Sequence, residues 1–238
     1  MVKAGQCTSM LLIDNGPGDS ALGTAFFVGP STLITAGHCV ADIGKANLLI
    51  STPGLPFVES QQIRRGDIHT VSCTVKALLY NPKHPTEDIA IIDCGSFRSG
   101  NYLPISQSTL PENTVVDIVG YPGQVTLPWV EKHEGLLSPS KSVDEASKLL
   151  PMHRLAVSRG HVTKSNSTIS YYLSSVRGMS GSCVLHGGKA YGIWLRGDVD
   201  VIGVHIGQKD KKKDTMPMAV AFSHPEVLKL LRKHKLIP

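Results

Sequence analysis

The chain has 238 residues, 41% of them hydrophobic and 18% charged, and carries a net charge of +5. That is enough apolar material for a core and too little charge for a disordered chain. No apolar run reaches the roughly 18–20 residues of a membrane helix, and the apolar part of MVKAGQCTSMLLIDNG is too short for a secretion signal, so the expectation is a soluble protein without a membrane span, intracellular and in the cytoplasm.

Short β-type runs follow one another along the first half: Ser9–Ile13, Gly23–Val28, Thr32–Ala36, Asn47–Ser51, Thr70–Tyr80, Ile89–Asp93 and Val115–Gly120. Gly, Pro, Asn or Asp interrupts them, which is the pattern of an antiparallel barrel or sandwich. A second set comprises Met152–Ser158, Ser170–Leu173, Ser182–Leu185, Ala190–Leu195, Asp200–Ile206 and Met218–Phe222. Between the sets lies Tyr121–Leu150, rich in Pro, Gly, Ser and charge, with a helical turn expected around Ser142–Leu150. The crossing between two β-halves is expected near Ser96–Pro111, dividing the chain into residues 1–100 and 101–238. At the end, Ser223-His224-Pro225-Glu226 reads as a helix start, and Val227, Leu228, Leu230 and Leu231 supply its apolar face.

Three stretches carry the chemistry. In Leu33-Ile34-Thr35-Ala36-Gly37-His38-Cys39 an apolar strand ends in small residues and delivers a histidine to a crowded strand end. Thr86-Glu87-Asp88-Ile89-Ala90-Ile91-Ile92 sets an acid at the mouth of a buried strand. A carboxylate held there costs several kcal/mol unless it is paired, and an imidazole N–H is a good partner. Gly178-Met179-Ser180-Gly181-Ser182 reads as a tight turn presenting a hydroxyl, with the backbone N–H groups of Gly178 and Ser180 available as an oxyanion hole. The order His38, Asp88, Ser180 fits the serine triad: the serine attacks a carbonyl, the histidine moves its proton, and the aspartate holds the imidazole tautomer. That order separates the chain from the α/β-hydrolases and the subtilisins. The five cysteines show no CxxC, so no metal and no cofactor is expected, and a reducing compartment is the simplest fit.

On these three motifs, spaced by 50 and 92 residues, the chain resembles the chymotrypsin-like serine proteases over roughly residues 20–232. The resemblance implies an all-β fold: two six-stranded antiparallel barrels of chymotrypsin type with the site between them, followed here by the C-terminal helix. It implies a serine endopeptidase acting on a peptide or polyprotein substrate. Met179 stands where activated digestive members carry an aspartate, which argues against zymogen activation. The general look is closer to viral main proteases of this fold and to bacterial glutamyl endopeptidases, with host cytoplasm as the location in the viral case. In those enzymes a Gly-x-His-x-Gly strand lines the primary specificity pocket. Gly203-Val204-His205-Ile206-Gly207 matches it, so His205, with Ser174 and Ser175 on the pocket wall, is expected to bind a Gln or Glu side chain. An imidazole donates to an amide oxygen when neutral and pairs with a carboxylate when protonated. Tyr191-Gly192-Ile193-Trp194-Leu195 is the competing register, which would put Trp194 in the pocket.

Two other functions stay open in the sequence. One is a protease-fold binding module, with weak RNA contact through the basic loop Lys209–Lys213, although stacking aromatics are lacking there. The other is a free-standing intracellular protease of bacterial or fungal type. Oligomeric state is not legible.

Overall fold

The computed structural model describes residues 4–14, 20–44, 47–51, 53, 70–84, 86–123, 154–165, 168–172, 178–186, 189–191, 194–196, 200–207 and 218–238. It is mostly β. A short helix, α1 (Ala4–Cys7), leads into β1 (Thr8–Asp14), β2 (Ser20–Phe27), β3 (Thr32–Thr35), β4 (Asn47–Ser51), β5 (Thr70–Tyr80) and β6 (Asp88–Asp93). These six strands close a barrel in the order β1-β2-β3-β6-β5-β4. Then come β7 (Val115–Gly120), β8 (Ala156–Ser165), β9 (Thr168–Tyr172), β10 (Cys183–His186), β11 (Lys189–Tyr191), β12 (Trp194–Arg196), β13 (Asp200–Gly207) and β14 (Met218–Ala221). Six of these close a second barrel in the order β10-β13-β14-β9-β8-β7, while β11 and β12 form a separate two-stranded sheet. The helix α2 (Pro225–Lys233) follows.

Strand alternation explains how the barrels meet. Successive side chains on a strand point to opposite faces. In the first barrel Phe27, Leu33, Ala90 and Ile92 belong to one cluster with Leu11, Leu48 and Ile50. Their neighbours Phe26, Ile34 and Ile89 belong to another, with Val119, Cys183, Leu185, Val220 and Phe222 of the second barrel. One face of β2, β3 and β6 therefore fills the first barrel and the other seals the seam. This is why Ile89-Ala90-Ile91-Ile92 is apolar without alternation and buried throughout. Each such large side chain contributes roughly 1.5–3 kcal/mol of burial. The helix α2 joins the same seam through Val227 and Leu231, both fully buried. Pro225 opens that helix, where the missing N–H costs nothing, and Arg232 and Lys233 in its last turn suit the negative end of its dipole.

Several expectations from the sequence need correction. The strand expected over Met152–Ser158 is instead β8, which starts at Ala156 and runs on through the polar residues Arg159-Gly160-His161 to Ser165. Half of that strand faces solvent, and Arg159 is fixed by a two-pronged bond to the buried Asp117 at 2.8 and 3.0 Å. Ala190–Leu195 is not one strand: Tyr191 pairs with Trp194, so the chain reverses between them. An apolar run with a glycine in its middle reads equally as a strand or a hairpin. The helix α1 carried no sequence signal. The helical turn expected at Ser142–Leu150 lies outside the described residues.

Candidate active site

The site is built from three strand ends. After β3 the chain makes a single 3-10 turn, Gly37–Cys39, that carries His38. This turn sits hard against the β5–β6 hairpin. A Cβ on Gly37 would lie 3.0 Å from Ile89 N and 3.1 Å from both Asp88 Oδ1 and Leu79 O, so a side chain there would push these neighbours back by a few tenths of an ångström. Across that contact Asp88, the first residue of β6, accepts two bonds from one residue. The His38 backbone N–H donates to Oδ1 at 2.7 Å, and Nδ1 lies 2.9 Å from Oδ2. An ionised carboxylate only accepts, so Nδ1 carries the proton in the neutral ring and Nε2 is left with its lone pair. The carboxylate side chain is 11% exposed and the imidazole 33%, so the acid is walled in and the ring faces outward.

Burial is the largest influence on the His38 ring and disfavours its charge. The Asp88 hydrogen bond, then Cys39, then the Asp88 charge act the other way and together prevail, so the ring holds its proton more tightly than an ordinary histidine.

Ser180 lies in the turn before β10. Gly178 and Gly181 both have positive φ, 98° and 87°. At Gly181 a Cβ would run into Thr24 O, Thr35 Oγ1 and Ala36 N, so a side chain is barred by both space and backbone. The turn docks on the first barrel beside the His38 segment. Thr24 N–H donates to Ser180 O at 2.8 Å, and the Cys39 thiol, next to His38, lies 3.8 Å from the same oxygen. Ser182 N–H donates to Met179 O at 3.0 Å. In a trans peptide the C=O and N–H point in opposite directions, so the Ser180 N–H is aimed away from Ser182. Met179 itself is fully buried, an apolar plug at the position the resemblance gave to an aspartate.

Thr24 was missed as a functional residue in the sequence. Its Oγ1 donates to Gly178 O at 3.0 Å and accepts from Tyr121 N–H at 3.0 Å, while its carbonyl accepts from Thr35 Oγ1 at 2.7 Å. One side chain thus ties the serine turn to β2 and to the end of β7. The available signal was a hydroxyl inside the apolar stretch Gly23-Thr24-Ala25-Phe26-Phe27-Val28.

This arrangement is a carboxylate-held imidazole on one segment and a serine on a glycine turn that docks against the next residue of that segment, Cys39. A family model of the trypsin-like peptidase domain matches residues 23–193, which include all three. The chain belongs to the trypsin-like peptidase domain family.

A solved structure of a Glu endopeptidase in complex with MPD is also similar, with a TM-score of 0.65 and 18% identity, covering 99% of this chain and 93% of the other. At that identity the likeness speaks for the chymotrypsin-like fold. A search of curated proteins finds no match. Family and fold make this peptidase a chymotrypsin-like serine endopeptidase.

The pocket residues fare unevenly. Ser174 and Ser175 lie outside the described residues of the peptidase, as does the basic loop Lys209–Lys213. The backbone of His205 sits in β13, opposite Ala219 of β14 and just before a register shift. Val204, its neighbour, pairs with Cys183 of β10, the strand that leaves the serine turn. Trp194 sits in β12, in the hairpin outside both barrels. No helix among the described residues is long and apolar enough to cross a membrane, and no group of three or more His, Cys, Asp and Glu side chains among them could hold a metal ion.

Proposed function

We propose that the peptidase hydrolyses peptide bonds with Ser180 as nucleophile, His38 as general base and then acid, and Asp88 as the group that orients the ring. The observation that carries this reading is the pair of hydrogen bonds by which Asp88 holds His38, at 2.7 Å to the backbone N–H and 2.9 Å to Nδ1, which turns Nε2 away from the carboxylate. In the first step Ser180 Oγ attacks the scissile carbonyl carbon while Nε2 takes its proton. The N–H groups of Gly178 and Ser180 receive the developing oxyanion, worth about 2.7–4 kcal/mol for one donor. The imidazolium then protonates the leaving amine, and water, activated by the same nitrogen, releases the acyl group.

We further read the primary specificity as Gln or Glu, with His205 contributing the donor and Ser174 and Ser175 lining the wall. Support comes from the strand position of His205 beside the strand that follows Ser180, and from the Glu endopeptidase of like fold. Trp194, in a hairpin apart from the barrels, is the weaker candidate. Processing of a longer precursor as substrate rests on the resemblance alone.

The test has two arms. Ser180→Ala should cut kcat by a factor on the order of 10⁶ with unchanged circular dichroism; retained activity would reject the nucleophile. A panel of peptides differing only before the scissile bond should favour Gln or Glu, and the preference should vanish in His205→Ala. Equal cutting of Gln, Phe and Arg peptides would reject the pocket while leaving the triad standing.

A further inference from the structure

The five cysteines gave no pairing pattern in the sequence, yet two of them meet in the first barrel. The β5–β6 ladder pairs Thr74 with Asp93. One step further along the same antiparallel pair, Cys73 and Cys94 face each other, and their Sγ atoms are 2.8 Å apart. Facing residues on antiparallel strands have Cα atoms about 4.5–5.5 Å apart, inside the range of about 4.4–6.8 Å that a disulfide spans. Both backbones are pinned from the other side. Cys73 pairs with Leu48 of β4, and Cys94 N–H donates to Ser31 O at 2.9 Å. The sulfurs therefore stay together without either strand having to move.

We propose that Cys73 and Cys94 are a disulfide-forming pair, a modification site that staples β5 to β6 whenever the peptidase meets an oxidant of the disulfide class. With glutathione disulfide the two protein thiols become one S–S bond and the glutathione disulfide becomes two thiols. One protein thiolate attacks a sulfur of glutathione disulfide and releases the first glutathione thiolate, its partner attacks the protein sulfur of the resulting mixed disulfide and releases the second, and the two protein protons end on the departing glutathione sulfurs. Burial restricts access: Cys94 is 2% exposed and Cys73 9%, so external thiols reach the pair slowly and the bridge is protected once made. The pair sits at the opposite end of β6 from Asp88, so bridging braces the strand that delivers the carboxylate without touching it. Cys7, Cys39 and Cys183 have no place in the staple; burial first, and then the neighbouring Cys183, push the Cys7 thiol up.

The experiment uses the full chain equilibrated in glutathione disulfide, acid-quenched, denatured, alkylated and peptide-mapped by mass spectrometry. The expected result is one bridged peptide joining Cys73 to Cys94, with Cys7, Cys39 and Cys183 alkylated. The oxidised chain should melt roughly 5–10 °C above the dithiothreitol-treated one, for a closed loop of this length. Alkylation of all five cysteines, or a bridge running through Cys7, Cys39 or Cys183 instead, would overturn the assignment. Cys94→Ser should lose the redox-dependent rise in Tm, and a rise that persists in it would also overturn the assignment. Should that variant fail to fold, the peptide map of the unaltered chain decides alone.

Discussion

At the scale of single residues, His38 sets the pH behaviour. A base must be neutral to accept the serine proton. The Asp88 bond and its charge, against the opposing effect of burial, hold the proton on the ring more tightly than usual. Activity should therefore rise with pH along a limb displaced to the alkaline side of an ordinary histidine. The linked stability has the opposite sign. It is fully present below the ordinary histidine value and is lost as pH climbs through the raised folded value. In Asp88→Asn the limb of kcat/KM should shift toward acid, and kcat should drop about 10⁴-fold because the wrong tautomer is then favoured. A pH-rate series on both proteins checks this, and an unmoved limb would count against the pairing. The three residues of the proposed triad stand out in the sequence because each sits in a distinctive neighbourhood: small residues before His38, a buried strand after Asp88, glycines around Ser180. Thr24 was not legible. A threonine's usefulness depends on which backbone groups surround it, and here the Gly178 carbonyl and the Tyr121 N–H come from positions 154 and 97 residues away.

At the scale of elements, the serine turn is shaped by its own glycines and held from outside by the β2 strand. Thr24→Val keeps the shape and removes the hydroxyl, freeing Gly178 O and leaving Tyr121 N–H without its acceptor. It should lower kcat about tenfold or more with little change in KM, whereas Thr24→Ser should restore most of the rate. Steady-state kinetics on the two variants, normalised to the titrated active-site concentration, decide the matter, since a general loss of folding would lower that titre and leave kcat per titrated site unchanged. Strands whose two faces are both covered were legible as apolar runs, β6 above all. Those with one wet face were harder: β8 begins in apolar residues and continues through Arg159, Gly160 and His161, and only its pairing with β7 makes it one strand. The hairpin β11–β12 was hidden because a strand and a folded-back pair of short strands share the same composition.

For the whole molecule, the seam between the barrels is both core and catalytic platform. The helix α2 closes it, with Val227 and Leu231 in the cluster that also contains Phe26, Ile34, Ile89, Val119 and Phe222. Leu231→Ala should cost about 2–5 kcal/mol, and because the helix shares one cluster with residues from both barrels the loss should appear as one earlier unfolding transition. Calorimetry would reveal it; a second, separate transition would mean that the barrels are not coupled through this seam. The mostly-β fold of chymotrypsin type was legible from turn spacing and motif order, while the packing of the seam was not, since each barrel's outward face looks like ordinary strand surface until its partner is known. The central claim is that Ser180, activated by His38, forms the acyl bond. It is tested most directly by labelling the intact peptidase with a fluorophosphonate and mapping the adduct. The account predicts phosphonylation of Ser180 alone, with fluoride released, and its loss in His38→Ala. An adduct on another residue, or labelling of Ser180 that proceeds equally well without the His38 imidazole, would contradict it.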